Sequence, residues 1–300
     1  FGRRYGVSFA GRLTSLTPSV WKRFIKWRQG PHAYEVEWDG NLFSHSSNGV
    51  SGEAIQRNLD DVRAALNYAL GEERVSLAPR VPSVDRRLRS KPRNALFTVA
   101  ELGAIVGYAR SDPATLRWVL LMIGTIVRPD AALAFDPARQ DHGELVDLHP
   151  PDWDISDKHY PWVPVIDPLR PILDDWKANP HSPVKSRKTW WRTMRAALGF
   201  PADRIPKTIR HSVSTELRKR GAPGGELSSW MGHIPEDMKA TTARYAKYDP
   251  RYLAKTKRLL TKLFKEVETA ADRWAADHLR TTSARGRPAQ IIKVQKSLRK

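Results

Sequence analysis

The sequence predicts a mainly α-helical protein with one small antiparallel β-sheet, divided into two unequal parts. Apolar residues recur at helical spacing in most segments of the chain. Two short runs of strand-forming residues, 144–148 and 162–166, flank a polar turn and predict the sheet. Helical periodicity lapses over residues 81–95, which hold prolines and many arginines. The chain of 300 residues is long enough for about two domains, so we place the boundary in that stretch.

The first part is predicted to begin with a short arm followed by a helix. Residues 1–16 mix arginine, glycine and serine and are expected to form an arm or a disordered start. A helix is predicted over residues 19–27, where apolar residues lie three and four apart and Pro18 stands near the start. The glycine- and serine-containing segment 30–49 is expected to be loop-rich.

A second helix completes the first part. It is predicted over residues 51–70, where one apolar stripe runs between Ser51, a suitable N-cap, and Gly71, a suitable stop. Residues 17–80 therefore form a small helical domain. Residues 81–95 are interpreted as a basic linker.

The second part begins near residue 96. Thr98 followed three residues later by Glu101 predicts a capping box at the start of a helix. Helical patterns are predicted at residues 98–110, 114–127, 168–177, 186–198, 208–220, 225–231, 238–247 and 251–275. The stretch 266–300 is expected to hold the end of the last helix and a basic tail.

The charge of the chain indicates a polyanionic partner. There are 51 Lys and Arg against 32 Asp and Glu, a formal net charge of +19. Nucleic acid is favoured over an anionic membrane surface. No long basic amphipathic helix stands out, no apolar run approaches the roughly 18 residues of a membrane span, and no signal peptide is visible. The lack of cysteine excludes disulfides, thiolate metal sites and cysteine nucleophiles, and it suits a reducing cytoplasm.

Cationic and imidazole residues precede a tyrosine in an order that suits phosphodiester chemistry. They are, along the chain, Arg128, Lys158, Lys207, Arg210, His233 and Tyr245. Two guanidinium groups can hold the non-bridging oxygens of a phosphodiester, and a lysine can protonate a leaving 5′ oxygen. A tyrosine, with a pKa near 10 in water, can attack phosphorus when its surroundings help it lose its proton. The product is a covalent phosphotyrosine, and no metal or cofactor is needed.

This ordered set resembles the active site of the tyrosine recombinase (phage integrase) family, which has Arg, Lys, His-x-x-Arg, Gly-His and Tyr in that order. Arg128 ends a helical run, as does the first arginine of the family, and Lys158 lies in the turn between the two predicted strands. Arg210 matches the second arginine, Gly232-His233 matches the Gly-His pair, and Tyr245 follows Thr241-Thr242, a context typical of the nucleophile. The resemblance covers about residues 96–265.

The sequence departs from the family pattern at three places. Lys207 stands where the family has the histidine of His-x-x-Arg. Ala131 replaces the acidic residue usually found three positions after the first arginine, and Asp130 lies one position early. The interval between His233 and Tyr245 is longer than usual and contains Pro235.

The resemblance implies a helical core-DNA-binding domain (17–80) followed by a mixed α/β catalytic domain (96–265). It implies double-stranded DNA with inverted-repeat core sites as the partner, a homodimer on each site and a homotetramer in the synapse. The activity that the resemblance implies is site-specific DNA strand exchange, expected in the cytoplasm at the nucleoid. The final helix resembles an element that docks on a neighbouring protomer.

Phosphate contacts are predicted in the linker and on one later helix. The candidates are Arg86, Arg87, Arg89, Lys91 and Arg93 in the linker, and Lys185, Arg187, Lys188 and Arg192 further on. Tyr248 is a rival nucleophile to Tyr245, and His211 is expected to support Arg210 rather than react. Three other functions stay open: a DNA-binding protein of the same fold that has lost cleavage, a monomeric topoisomerase and, least favoured, a metal-dependent nuclease.

Overall fold

A computed structural model of the protein describes residues 13–89, 95–154, 159–182, 184–233 and 249–284. The chain divides into two compact units, Phe1–Arg93 and Asn94–Lys300. Helices make up most of the described secondary structure, and two small antiparallel sheets accompany them. The predicted fold class, mainly helical with little sheet, is therefore confirmed at that level, although the prediction named one sheet instead of two.

The first unit is built from two helices with a hairpin between them. Its elements are α1 (Pro18–Gln29), β1 (His32–Trp38), β2 (Asn41–Ser47) and α2 (Gly52–Gly71). Both predicted helices are confirmed. Their apolar faces share one cluster, which contains Trp21 from α1 and Ile55, Leu59, Val62 and Leu66 from α2.

Both ends of α2 lie close to where the sequence predicts them. The hydroxyl of Ser51 accepts a hydrogen bond from the Ala54 N–H, as predicted for an N-cap. The helix ends at Gly71, within one residue of the predicted end, but Gly71 does not adopt a left-handed conformation. The left-handed conformation falls on Glu73 instead, with φ of 53°.

The loop predicted over residues 30–49 is in fact the β1–β2 hairpin. Its two strands pair antiparallel from His32 opposite Ser47 to Trp38 opposite Asn41. The two-residue turn is Asp39-Gly40, and both residues have positive φ, 51° and 70°. A tight hairpin turn of this hand needs positive φ at both central positions, which Asp-Gly adopts at little cost.

The second unit contains nine described helices and a two-stranded sheet. The helices are α3 (Val99–Ala109), α4 (Pro113–Thr125), α5 (Pro129–Leu133), α6 (Pro137–Gln140), α7 (Arg170–Ala178), α8 (Lys188–Ala197), α9 (Lys207–Lys219), α10 (Gly224–Trp230) and α11 (Ala254–Ala284). Seven of them lie where helices are predicted. The two short helices α5 and α6 were not predicted, and α11 continues past the predicted end at residue 275. The helix predicted at 238–247 lies outside the described residues.

The capping box predicted at Thr98 is present. Its hydroxyl accepts a hydrogen bond from the Glu101 N–H, and the Glu101 carboxylate accepts one from the Thr98 N–H. The predicted sheet also forms, from β3 (Leu145–Asp147) and β4 (Trp162–Pro164) paired antiparallel. Residues 155–158, in the connection between these strands, lie outside the described residues.

The core of the second unit holds α9 in a fixed orientation. One face of α9 buries the apolar side chains of Ile209, Val213 and Leu217. Lys207 and His211 are exposed, whereas Arg210 is buried at the edge of this face. No helix among the described residues is both long enough and apolar enough to cross a membrane.

Candidate active site

Arg210 is the most constrained residue of the candidate site. Only 6% of it is exposed, and its guanidinium donates hydrogen bonds to the backbone carbonyls of Ile126 and Met231. Burial, together with the nearby positive charge of Arg128, lowers the pKa of Arg210 to about 10. The group therefore still carries its charge at neutral pH. A buried charge without a counter-charge is costly, so this position favours an anion.

The Ile126 carbonyl, which accepts one of the hydrogen bonds from Arg210, belongs to the residue directly after α4. Ile126 follows the last turn in a left-handed conformation, with φ of 57°, and its N–H donates to the Met122 carbonyl. The indole N–H of Trp230, at the end of α10, donates to the neighbouring Thr125 carbonyl over 3.0 Å. The ends of α4 and α10 are thereby tied together, and both carbonyls that hold Arg210 come from these two ends.

Arg128 lies just beyond that turn and is the N-cap residue of α5. Its Nη1 donates to the backbone carbonyl of His159 over 3.0 Å. The guanidinium carbon lies over the ring of Tyr160, 5.1 Å from its centroid. Among the described residues no carboxylate forms an ion pair with Arg128 or Arg210. Within the described residues, backbone carbonyls and an aromatic ring hold the two guanidinium groups.

His233 follows a glycine that no other residue replaces easily. Gly232 has φ of 67°, and a Cβ there would lie 2.6 Å from the His159 carbonyl oxygen and 2.8 Å from Pro161 Cδ. The His233 N–H donates to the Ser228 carbonyl and fixes the backbone after α10. Burial, then the charges of the two arginines, lowers the pKa of His233. The imidazole is therefore neutral at pH 7.

Lys207 and His211 lie on the exposed side of α9. Lys207 lies one turn before Arg210 and is exposed. Burial, then the charges of Lys207 and Arg210, lowers the pKa of His211. Of the six predicted catalytic residues, four are described: the structure brings Arg128, Arg210 and His233 into one region, and Lys207 lies one turn from Arg210 on α9. Lys158 and Tyr245 lie outside the described residues, as does the rival Tyr248.

Such an arrangement can bind a tetrahedral anion. Guanidinium groups donate two parallel hydrogen bonds to the oxygens of a phosphate, and they keep their charge at all relevant pH values. A neutral imidazole adds a further donor or an acceptor. The region can therefore hold a phosphodiester and stabilise the extra negative charge that develops when phosphorus is attacked.

The predicted phosphate contacts outside this region fall into two groups. Arg86, Arg87, Lys185, Lys188 and Arg192 have exposed side chains. Arg89 instead donates to Gln56 and to the Val84 carbonyl, and Arg187 forms an ion pair with Asp112 at 3.0 Å. The side chains of Arg89 and Arg187 are therefore engaged in intramolecular contacts. Lys91 and Arg93 lie outside the described residues.

The two adjacent tryptophans of α8, Trp190 and Trp191, pack in or against the core of the second unit. Trp191 is buried, and its indole N–H donates to the Arg204 carbonyl over 2.7 Å. Trp190 is partly buried and makes edge contacts with Tyr108 and Trp118. Neither ring lies free as a platform for a base.

Sequence reasoning missed the segment His159-Tyr160-Pro161. This segment touches both Arg128 and Gly232, through the carbonyl of His159, the ring of Tyr160 and the ring of Pro161. A usable signal existed, since an aromatic residue stands two positions after the lysine predicted for the turn. The carbonyls that hold Arg210 left no such signal.

Among solved structures, the Tn1549 transposon integrase in complex with circular intermediate DNA is similar to this chain. It aligns over 70% of this chain and 80% of its own, with 14% sequence identity and a TM-score of 0.49. No protein-family model matches the chain. No curated protein matches it either.

Proposed function

We propose that this chain is a site-specific DNA recombinase that cleaves and rejoins DNA through a covalent 3′-phosphotyrosine. The observation that carries the proposal is the pair of guanidinium groups, Arg128 and Arg210, held by carbonyls and a ring without a described carboxylate. A pair kept free of acids is suited to the two non-bridging oxygens of one phosphodiester. The first unit supplies core-DNA binding and the second supplies catalysis.

In the proposed reaction the phenol oxygen of Tyr245 attacks phosphorus, and the bond to the 5′ oxygen breaks. Arg128 and Arg210 hold the non-bridging oxygens and stabilise the charge of the phosphorane. Lys158 gives a proton to the leaving 5′ oxygen. Rejoining is the reverse step, with the 5′ hydroxyl of another strand displacing the tyrosine.

The remaining two groups assist in this scheme. His233 is neutral at pH 7 because its pKa is lowered, so it can donate an N–H to a phosphate oxygen or accept the phenol proton. Lys207 stands where the tyrosine recombinase family has the histidine of His-x-x-Arg. Its ammonium group can contact the phosphate, but it cannot accept a proton while it is charged. The proposed partners are double-stranded DNA with inverted-repeat sites, a homodimer on each site and a homotetramer in the synapse.

The test is covalent trapping on a nicked suicide duplex drawn from a library of inverted repeats. The wild-type chain is expected to form a protein–DNA adduct that survives denaturant. Tyr245→Phe is expected to abolish the adduct while DNA affinity stays within about twofold, and Tyr248→Phe serves as the matched control that keeps it. An undiminished adduct in Tyr245→Phe would remove that tyrosine from the role.

Lys207 in place of the family's histidine, and Ala131 in place of its acidic residue, favour a second candidate, a DNA-binding protein of the same fold without cleavage. It predicts salt-sensitive gel shifts and no adduct with any duplex in the library. Relaxation of supercoiled plasmid that lacks a specific site would instead indicate a monomeric topoisomerase. The three functions therefore give three different results with the same purified chain.

A further inference from the structure

Among the described residues, the groups that hold the Arg128 side chain in place do not include a carboxylate. Ala131, where the resembling family carries an acidic residue, is 1% exposed and cannot hold a charge. Asp130 is exposed and forms no ion pair with Arg128 among the described residues. What contacts the Arg128 guanidinium is the His159 carbonyl, at 3.0 Å, and the face of the Tyr160 ring, at 5.1 Å.

Tyr160 is itself held on two sides. The residue is 8% exposed, and its ring makes perpendicular contacts with His149, at 5.5 Å and 84°, and Trp153, at 5.9 Å and 80°. Edge-to-face contacts of this kind restrict how a ring can turn. The ring face offered to Arg128 is therefore a fixed surface.

Tyr160 also lies close to the second arginine. Burial and Arg128 lower the pKa of Arg210, and Tyr160 acts in the opposite direction on the same group. The carbonyl one residue earlier, that of His159, faces both Arg128 and the backbone of Gly232. One short segment thus contacts Arg128 and the backbone of Gly232 and acts electrostatically on Arg210.

We propose that Tyr160 is a positioning residue for Arg128, an inference that rests on the function proposed above. An aromatic face attracts a cation through its quadrupole without neutralising it. A carboxylate would occupy two N–H donors of the guanidinium and cancel its charge. The ring leaves those donors free, so that apart from the bond to His159 they can point at the phosphate oxygens.

The test compares two substitutions in the full-length chain, by single-turnover adduct formation on the suicide duplex at saturating protein. Tyr160→Phe keeps the ring and is expected to react within about threefold of wild type. Tyr160→Leu removes the aromatic face and is expected to react at least about tenfold more slowly, with DNA affinity unchanged within about twofold. A purely structural role would instead change affinity and unfolding along with the rate.

Two controls separate positioning from general damage. Tyr108→Leu removes a partly buried tyrosine that contacts Trp190, away from the arginines, and is expected to keep the wild-type rate. In an Arg128→Ala background, Tyr160→Leu is expected to cause no further slowing, because the residue that it positions is gone. If Tyr160→Leu does not fold, Trp153→Ala can replace it. This substitution removes the Trp153 ring that contacts Tyr160, so the Tyr160 ring is held less firmly and the reaction should slow severalfold.

A second readout does not need catalysis. Phenylglyoxal modifies accessible arginines, and mass spectrometry can follow Arg128 alone. Arg128 is expected to react severalfold faster in Tyr160→Leu than in wild type, and at the wild-type rate in Tyr160→Phe. A wild-type chain that forms no adduct would sink the proposed function, and the modification rates would still decide whether Tyr160 restrains Arg128.

Three results would overturn the positioning role. The first is cleavage by Tyr160→Leu at the wild-type rate. The second is equal slowing in Tyr160→Phe and Tyr160→Leu, which would assign the role to the hydroxyl group. The third is an unchanged rate of Arg128 modification in Tyr160→Leu. Additive slowing in the Arg128→Ala background would likewise show that Tyr160 acts on something other than Arg128.

Discussion

Replacing Gly232 by alanine tests how tightly the candidate site is packed. The residue has φ of 67°, and a Cβ would lie 2.6 Å from the His159 carbonyl oxygen and 2.8 Å from Pro161 Cδ. The left-handed conformation costs a residue with a Cβ about 1–2 kcal/mol. The close approach to backbone adds about 1–3 kcal/mol, because neither neighbour is the free end of a side chain. We expect a total loss of about 2–5 kcal/mol in the free energy of unfolding.

Gly199→Ala is the matched control for this substitution. Gly199 has nearly the same φ, 68°, but nothing lies within 4 Å of the place that its Cβ would occupy. The effect of an added methyl group on the unfolded chain is the same for both variants and cancels in the comparison. The control should therefore lose only about 1–2 kcal/mol, for the conformation alone.

The measurement is urea unfolding of both variants and the wild type. With a slope of about 2 kcal/mol per molar, the control midpoint should fall by about 0.5–1 M and the Gly232→Ala midpoint by about 1–2.5 M. In Gly232→Ala the His159 carbonyl must move, so adduct formation should also slow. Equal destabilisation of the two variants would show that the close contact at Gly232 does not exist in solution.

Three further predictions concern titratable side chains. Arg210→Lys should lower the single-turnover cleavage rate by about 10³-fold or more, because a lysine cannot span two phosphate oxygens; a rate within tenfold of wild type would contradict its role. The pKa of His233 is lowered in the folded state, so folding is opposed as pH falls from 7 to 5, where the unfolded histidine binds a proton first. His233→Gln should flatten the fall of the urea midpoint over that window, and an unchanged profile would count against the lowered pKa. Burial would raise the pKa of Asp141, but hydrogen bonds from Arg170 and Lys177 dominate and lower it to about 2. Asp141→Asn should therefore cost about 2 kcal/mol in urea unfolding at pH 7, and the difference from wild type should shrink as pH falls from about 4 towards 2; a constant difference would refute the ion pair.

Seven of the nine described helices of the second unit lie where the sequence predicts a helix. Periodic apolar residues and the capping box at Thr98 are local signals, and the structure reproduces them. The hairpin at β1 and β2 also had a local signal, Asp39-Gly40 between alternating residues, but the surrounding glycines and serines outweighed it in the prediction. That error came from weighing composition above turn chemistry.

The sequence predicted the residue types of the candidate site but not the contacts that hold their side chains. Arg128, Arg210 and His233 carry chemistry that is visible in the sequence, and they do lie in one region. The sequence did not show that Arg89 and Arg187 bond to other residues of the chain. Their partners, Gln56 and Asp112, are distant in sequence and come close only in the folded protein.

By itself, the sequence determined the helical segments, the strong positive charge and the order of the groups suited to phosphodiester chemistry, because these depend on residue type and local spacing. Tertiary structure alone decided that Arg210 is buried against the Ile126 and Met231 carbonyls and that Tyr160 lies under Arg128. Those contacts join residues far apart in the chain. They depend on where helix ends and a strand connection meet, and on which way their carbonyls and rings face, neither of which local spacing encodes.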